Sequence, residues 1–443
     1  MKKKIFLILL SIVLLFTDIN KIAIPYLGLV MVYMYYKFYN KQYNEIVLAL
    51  TFFGYSFFIL LNKVTGLPNI GLIFAMLLAV FLIRLMTGWE PAKKLKLAIF
   101  PYNLMLYAFF GLILFAMTKT ELGDYQVFKI QLWITWAAIL FASLHCYDDH
   151  INHFNFEEFL IISFYLFVPQ FTLAADDGGV SLSPIQTWRT YSVLDDGIRG
   201  HEYDIITATR IAGIGMLAFL CHLLDFSVKK IYLFFLMSFF VIVMIICQTR
   251  QSLAAIIIPI LILLYFNFFK QQKSNFNTFI GIVLVLASVT YYLNYLNANN
   301  VESRLVENAD GDSEEGTGRE EIYAAAKAYI AENPTNIGFG NYVSVVGGAD
   351  YPHNIFLEIM LEEGYVAVLV LICIVGFIFI EVFKLIISPQ SPGKLELFAI
   401  LATLYFLGLA QFSVDIARNQ TFFYTFALFL SLKNKRLKEL ALN

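Results

Sequence analysis

Residues Tyr365–Phe383 read YVAVLVLICIVGFIFIEVF, and this nearly continuous apolar run decides the fold. A helix needs about 20 apolar residues to cross a bilayer, and each backbone group left without a hydrogen bond in lipid costs several kcal/mol. The run lacks the period-two alternation that a transmembrane barrel strand requires. It therefore predicts an α-helix that crosses a membrane.

The composition extends this prediction to the whole chain. The 443 residues are 59% hydrophobic and 14% charged, with a mean hydropathy of +0.71, whereas a soluble domain has about 25% charged residues. We predict an all-α, polytopic membrane protein with about 12–14 transmembrane helices. The formal net charge of −2 argues against nucleic acid as a partner, and the lipid bilayer is the expected surroundings.

The distribution of basic residues predicts the orientation. Lysines concentrate at alternate ends of the apolar runs, and the positive-inside rule assigns those ends, and both termini, to the cytoplasm. Two long polar loops, near residues 176–204 and 297–352, then lie on the extracytoplasmic side. The predicted organisation is a transmembrane segment over 1–296, an extracytoplasmic catalytic loop over 297–352 and C-terminal transmembrane helices over 353–443.

The basic residues assigned to the outer side are mostly arginines. Arginine binds phosphate through two parallel hydrogen bonds, so this enrichment favours a phosphate-bearing ligand. The alternative is that single arginines pair with nearby acids such as Asp195 or Asp310. The arginines concerned are Arg189, Arg199, Arg210, Arg250, Arg304, Arg319 and Arg418.

The second outer loop contains a predicted amphipathic helix. Thr317 and Glu320 have capping-box spacing, and Asn333-Pro334 ends the pattern. This helix is expected either along the membrane surface or on the helical bundle, and it is either part of the site or only a lid. The apolar stripe consists of Ile322, Ala325, Ala326, Tyr329 and Ile330, and glycines follow at 338, 340, 347 and 348 for tight turns.

The stretch YPHNIFLEIMLEEG, residues 351–364, places polar groups at the mouth of the apolar run. Asp350 and Pro352 favour a helix start there, which predicts that His353 lies in the first turn. Asn354, Glu358 and Glu362 follow at spacings that stack them on one helix face. The helix dipole disfavours a protonated imidazole, so His353 is a candidate proton acceptor, and the alternative is a capping or interfacial histidine.

Two further features contain metal-capable residue types but do not predict a metal site. The cluster HCYDDHINH at 145–153 fits no tight ligand spacing. A calcium loop starting at Asn308 would require glycine at Ser313 and glutamate at Arg319. We therefore predict no metal and no cofactor.

A separate feature is Lys129, which lies in an apolar helix. No partner for it is evident in the sequence.

Three segments together resemble the O-antigen ligase and O-antigen polymerase superfamily. HNIFLEIMLEEGYVA at 353–367 is similar to the family's His-Asn signature. TGREEIYAAAKAYIAENPTNIGFGNY at 317–342 resembles its arginine, amphipathic helix and Gly-x-Gly run, and QTRQSLAA at 248–255 resembles its segment in which an arginine opens a helix.

The resemblance implies a metal-independent, GT-C-like glycosyltransferase in the bacterial cytoplasmic (inner) membrane. The implied donor is an undecaprenyl-pyrophosphate-linked oligosaccharide, and the acceptor is a hydroxyl of a glycan, lipid or protein. His353 would activate or orient that hydroxyl, and Arg250 and Arg319 would hold the pyrophosphate. Asn354 would bind sugar or fix the imidazole, and the positions of Arg210 and Glu358 add them as candidate substrate-binding residues.

The sequence leaves the type of transfer open. A polymerase, which adds a growing lipid-linked chain to the next repeat unit, is the favoured interpretation, and a chain-length regulator would then be a further partner. A ligase would deliver the same glycan to lipid A-core or protein. A polysaccharide or lipid transporter is the third alternative, although no internal repeat of the kind that transporters show is evident.

Overall fold

The computed structural model describes residues 19–65, 79, 83, 101–144, 154–176, 205–223, 231–246, 250–266, 283, 287, 290, 319–332, 336–346, 352–388, 392–411, 416 and 419–442. Predictions for the loop near 176–204, for residues 297–318 and for the cluster at 145–153 lie outside the described residues, apart from Asp176.

The described residues form fourteen helices and no strand, which confirms the all-α prediction. The helices are α1 (Ile19–Tyr39), α2 (Tyr43–Thr65), α3 (Pro101–Met117), α4 (Asp124–Leu144), α5 (Phe156–Asp176), α6 (Ile205–Leu223), α7 (Ile231–Ile246), α8 (Arg250–Tyr265), α9 (Arg319–Glu332), α10 (Tyr342–Val345), α11 (Ile355–Glu362), α12 (Tyr365–Ile387), α13 (Lys394–Leu409) and α14 (Gln420–Leu442).

Within this described part, α12 is the one helix that combines the length and the hydropathy needed to cross a membrane. This helix has 23 residues, and an 18-residue stretch of it has a mean hydropathy of 3.1. Three shorter apolar helical segments accompany it, at Leu104–Met117, Thr209–Leu223 and Gln251–Tyr265. The larger number of spans stays a prediction.

The chain divides into two compact units, each assembled from two separate stretches. The N-terminal unit comprises Met1–Ile83 and His150–Asp310, and it contains α1, α2 and α5–α8. The C-terminal unit comprises Arg84–Asp149 and Gly311–Asn443, and it contains α3, α4 and α9–α14. The predicted division into three consecutive segments is a division by membrane side, and it stays a prediction.

Aromatic side chains form the centre of the N-terminal unit. The buried ring of Phe240 in α7 stacks on Phe167 of α5, with ring centroids 4.5 Å apart, and meets the edge of Phe53 of α2 at 6.0 Å. On its other side lies Gly215 of α6, where an added Cβ atom would overlap the Phe240 ring. Gly215 is therefore required for the close packing of α6 on α7.

Helices α3, α4 and α14 form the frame of the C-terminal unit. Phe109 of α3 stacks on Phe423 of α14 at 5.5 Å, and the Tyr424 hydroxyl of α14 donates to the Trp136 carbonyl of α4 at 3.0 Å. The short helix α11 packs against α9, α10 and α12 in the same unit. This frame positions the candidate site.

We expect Gly215→Ala to lower the thermal stability of the protein. The new methyl group would push against a ring that is held by two other aromatic side chains, and overpacking of this kind costs about 1–3 kcal/mol. Gly28→Ala is the control in the same unit, since Gly28 lies in α1 with open space beside it. There the change removes only backbone freedom, so stability should stay equal or rise by about 0.5–1 kcal/mol. Thermal unfolding of the purified proteins in detergent measures both, and equal effects would contradict the packing role of Gly215.

Candidate functional site

Helix α11 begins at Ile355 because Asn354 caps it. The Asn354 backbone is extended, with φ −147° and ψ 117°, and its side-chain oxygen accepts hydrogen bonds from the Phe356 and Leu357 amides at 3.0 and 3.2 Å. Asparagine is among the strongest N-cap residues because its side chain replaces the missing acceptor for the first helical N–H groups. The prediction that the helix starts earlier, with His353 in its first turn, is therefore wrong.

His353 lies just before the cap in an uncommon backbone conformation. Its φ is +54°, in the left-handed region, and its side chain is half-buried. Only a few per cent of non-glycine residues adopt this region, and such outliers concentrate at functional sites. The other described non-glycine residue with positive φ, Lys41, lies in the turn between α1 and α2.

Contacts on both sides hold the chain around His353. The Tyr323 hydroxyl of α9 donates to the His353 carbonyl at 3.4 Å. The Ile355 amide donates to the carbonyl of Ala410, the C-cap residue of α13, at 3.2 Å. His353 is thus placed by the start of α11, by α9 and by the end of α13.

Below the cap, Lys129 of α4 is buried between two glutamates of α11. Its ammonium lies 2.7 Å from Glu358 Oε1 and 2.8 Å from Glu362 Oε2, with side-chain exposures of 1% for the lysine and 0% for both glutamates. Glu358 also accepts the Ile416 amide at 3.0 Å. Removing one partner from such a buried group leaves an uncompensated charge and lowers the free energy of unfolding by about 3–5 kcal/mol.

These contacts supply the partner for Lys129 that sequence reasoning missed. Glu358 and Glu362 lie 229 and 233 residues further along the chain, so no local spacing connects them with the lysine. One signal was available: two glutamates at i and i+4 on an apolar helix need a cation if that face is buried. Glu358, a candidate for substrate binding, has these protein groups as its contacts.

The glycine turn, residues 336–341, closes over the far end of α11. The Ile337 and Gly338 amides donate to the Leu361 and Glu362 carbonyls at 2.9 and 3.2 Å. Gly338 and Gly340 have φ values of +101° and +81°, which confirms that these glycines form tight turns. The fully buried Phe339 places its ring centroid 4.9 Å from the Lys129 ammonium, at cation–π distance.

Helix α9 packs its apolar stripe on the bundle, which decides between the two predicted placements. Ala326 and Ile330 are buried in one cluster with Tyr342 and Leu361. Ile322 and Tyr329 join this cluster, whereas Ala325 is exposed. The observed bounds, Arg319–Glu332, agree with the predicted helix, and Arg319 is its first residue.

Glu363 adds a third buried carboxylate beside Lys129. Neither of its carboxylate oxygens has a hydrogen-bond partner in the part of the chain that the structure describes. Burial, together with the negative charges of Glu362 and Glu358, raises the pKa of Glu363 well above its ordinary value, although the Lys129 ammonium acts in the opposite direction. One lysine does not balance three ionised glutamates, so the group favours retention of a proton on Glu363.

The remaining predicted site residues lie in both units. Arg319 shares the C-terminal unit with His353, whereas Arg210 and Arg250 belong to the N-terminal unit. Arg210 is buried in α6, and Arg250 is the first residue of α8, as the sequence predicts. Among the residues with described side chains, no three His, Cys, Asp or Glu residues are grouped to hold a metal ion.

Comparison with known proteins finds a family match that covers part of the chain and the three predicted catalytic residues. A family model described as O-antigen ligase matches residues 232–372. This match confirms the resemblance to the O-antigen ligase and polymerase superfamily, and it includes Arg250, Arg319 and His353, whereas Arg210 lies outside it. No curated protein and no solved structure matches the chain.

We expect the stability of the protein to depend on pH through Glu363. The pKa of Glu363 is raised in the folded state. Below the ordinary carboxyl pKa, Glu363 is protonated in both the folded and the unfolded chain, and its stabilising contribution to the free energy of unfolding is fully present. This contribution is lost as pH rises through the raised pKa, because the unfolded chain then releases the proton more readily than the folded one. Glu363→Gln should therefore weaken the decline of the unfolding temperature that sets in as pH rises above the ordinary carboxyl pKa. Glu321→Gln, on the exposed face of α9, is the control and should keep the wild-type slope. An unchanged slope in Glu363→Gln would contradict this assignment.

Proposed function

We propose, from the match of residues 232–372 to a family model described as O-antigen ligase, that the chain is a membrane glycosyltransferase. It moves an undecaprenyl-pyrophosphate-linked glycan onto an acceptor hydroxyl at the outer face of the bacterial cytoplasmic membrane. The observation that carries the proposal is that Arg250, Arg319 and His353 all lie within that matched segment. Arg250 and Arg319 are each the first residue of a helix, and His353 directly precedes the cap of α11.

Apolar side chains facing outward support a place in the membrane. In α12, Leu369, Ile372 and Phe383 are each more than half exposed, although a soluble protein would bury such residues. Comparable exposed side chains occur on α1, at Ile24 and Val32. Lipid contact accounts for these faces, and a site beside the bilayer could receive a lipid-linked donor laterally.

The chemistry follows from the residue types. The acceptor oxygen attacks the anomeric carbon of the donor, and the bond from that carbon to the pyrophosphate oxygen breaks with its electron pair. His353 accepts the proton of the hydroxyl or orients it. Arg250 and Arg319 compensate the charge that develops on the leaving pyrophosphate, because guanidinium groups pair with phosphate oxygens at fixed geometry.

The contacts of Asn354 and Glu358 favour supporting roles. The side-chain oxygen of Asn354 caps α11, so the role that we assign to Asn354 is to fix the backbone next to His353. Its side-chain amide nitrogen is then the group that would donate a hydrogen bond to a sugar. Glu358 is fully buried against Lys129, which favours a role in holding α11. Arg210 stays a proposed substrate-binding residue through its burial near the beginning of α6.

Two acceptors fit this chemistry. We favour a polymerase, whose acceptor is the next lipid-linked repeat unit and whose partners include a chain-length regulator. The description of the matched family as O-antigen ligase favours the second candidate, a ligase that transfers the finished glycan to lipid A-core or protein. Both use the same donor and the same side chains.

We expect His353→Ala, Arg250→Ala and Arg319→Ala to abolish long surface glycans in a deletion strain. Loss of a proton acceptor lowers a transfer rate by about 10²–10⁴-fold, and loss of a charge-stabilising donor by about 10²–10³-fold. The measurement is glycan length on gels, at equal membrane amounts of each variant. Lys327→Ala, on the exposed face of α9, is the control and should restore full-length glycan.

The pattern of loss distinguishes the two acceptors. Single repeat units that remain attached to their final acceptor indicate a polymerase. Lipid-linked polymer that accumulates without any attached glycan indicates a ligase. Wild-type glycan in all three variants would contradict the proposed function.

A further inference from the structure

We propose that Lys129 is a positioning residue for the transfer reaction, because its ammonium holds α11 in the one placement that presents His353. The inference rests on the proposed function and adds to it a residue outside the three segments that carry the family resemblance. Lys129 also lies outside the matched segment, residues 232–372.

The first support is that Lys129 contacts α11 over a full helical turn. Its ammonium binds Glu358 and Glu362, which lie one turn apart on the same face. Rotation of α11 about its axis, or a shift along it, would break at least one of the two contacts. Because His353 is joined to this helix through the Asn354 cap, the rotation of α11 sets the direction from which His353 enters the site.

The second support is that the glycine turn depends on the same lysine. The Phe339 ring lies over the ammonium, and a Cβ atom on Gly340 would lie 3.4 Å from Lys129 Cδ. The turn in turn binds the last carbonyls of α11 through Ile337 and Gly338. Lys129 therefore restrains α11 directly, and again through the turn that closes its end.

The third support is Ile416. Its amide donates to Glu358, so the carboxylate that binds Lys129 also fixes the backbone at Ile416. A lysine that only filled space in an apolar helix would not need two separate elements around its charge, α11 and the glycine turn, and a further contact from Ile416 to its partner Glu358. The arrangement is the one expected of a residue that acts through the placement of another.

The test measures initial transfer rates with purified full-length protein. The substrate is a detergent extract of membranes from the deletion strain, which contains the accumulated lipid-linked glycan and the acceptor of that strain. Dilution of the extract separates kcat from KM. The single variants are Lys129→Met, Lys129→Arg and His353→Ala. The double variant combines Lys129→Met with His353→Ala. The neutral triple variant combines Lys129→Met with Glu358→Gln and Glu362→Gln. Lys327→Met is the matched control on an exposed surface.

We expect Lys129→Met to lower kcat by at least about tenfold with KM changed less than about threefold, because misplacement by 1 Å costs up to about 10²-fold in rate. Lys129→Arg keeps the charge and should recover most of the rate. If Lys129 acts through His353, the double variant should be no more than about threefold slower than His353→Ala alone. The triple variant leaves no buried charge unpaired, so it should fold and still show the low kcat.

Several results would overturn the positioning role. These are a wild-type kcat in Lys129→Met, losses that multiply in the double variant, or failure of both Lys129→Arg and the triple variant to accumulate in membranes, which would assign Lys129 to folding alone. The proposed function fails separately, if the wild type transfers no glycan or if His353→Ala is as fast as the wild type. The positioning role, which rests on that function, would then fall with it.

Discussion

The buried contact of one lysine with two glutamates is the constraint on which the C-terminal unit depends. Charges at 0–1% exposure are costly to remove from water, and their mutual attraction offsets that cost only when the geometry is close and the remaining oxygens are hydrogen-bonded. Glu358 meets these conditions, since the Lys129 ammonium lies 2.7 Å from its Oε1 and the Ile416 amide lies 3.0 Å from both of its oxygens. Glu362 meets them in part, because its Oε1 has no hydrogen-bond partner among the described residues. A loose arrangement of α4 and α11 would lose the compensation, so the charges require one packing of these helices.

Several contacts around the start of α11 restrain the unusual backbone conformation of His353. His353 lies just before α11 in a left-handed conformation. The chain around it is restrained by the Asn354 cap, by the Tyr323 hydroxyl and by the hydrogen bond from the Ile355 amide to the Ala410 carbonyl. Strain of this kind persists only where the surrounding structure determines the backbone more than once. The proposed proton acceptor therefore directly precedes the cap of a short helix whose position is fixed by several contacts. A group that must meet a reacting hydroxyl at hydrogen-bond distance needs such a support.

Aromatic packing and charged contacts both fix helices in this protein. In the N-terminal unit, Phe53, Phe167 and Phe240 interlock and Gly215 admits α6 to the same centre, while the Lys37–Glu158 ion pair joins α1 to α5. In the C-terminal unit, buried charge and glycine turns add directional contacts to the apolar packing around Tyr342 and Leu361. Directional contacts suit a site that must hold polar groups in place beside an apolar surrounding.

Features that depend on neighbouring residues could be predicted from the sequence. Composition, helical period, caps and backbone freedom predict the all-α class, the apolar run of α12, the bounds of α9 within about two residues and the turns at Gly338 and Gly340. The helix start at Arg250 was implied by the family resemblance. The start of α11 was misplaced, since Pro352 and Asn354 compete for the same role and only the hydrogen bonds of the formed helix decide between them. The tertiary structure alone decided the partner of Lys129, the burial of Glu358 and the bundle contact of α9. The physical reason is that an ion pair between residues 229 positions apart depends on how helices pack, and no local pattern along the chain contains that information.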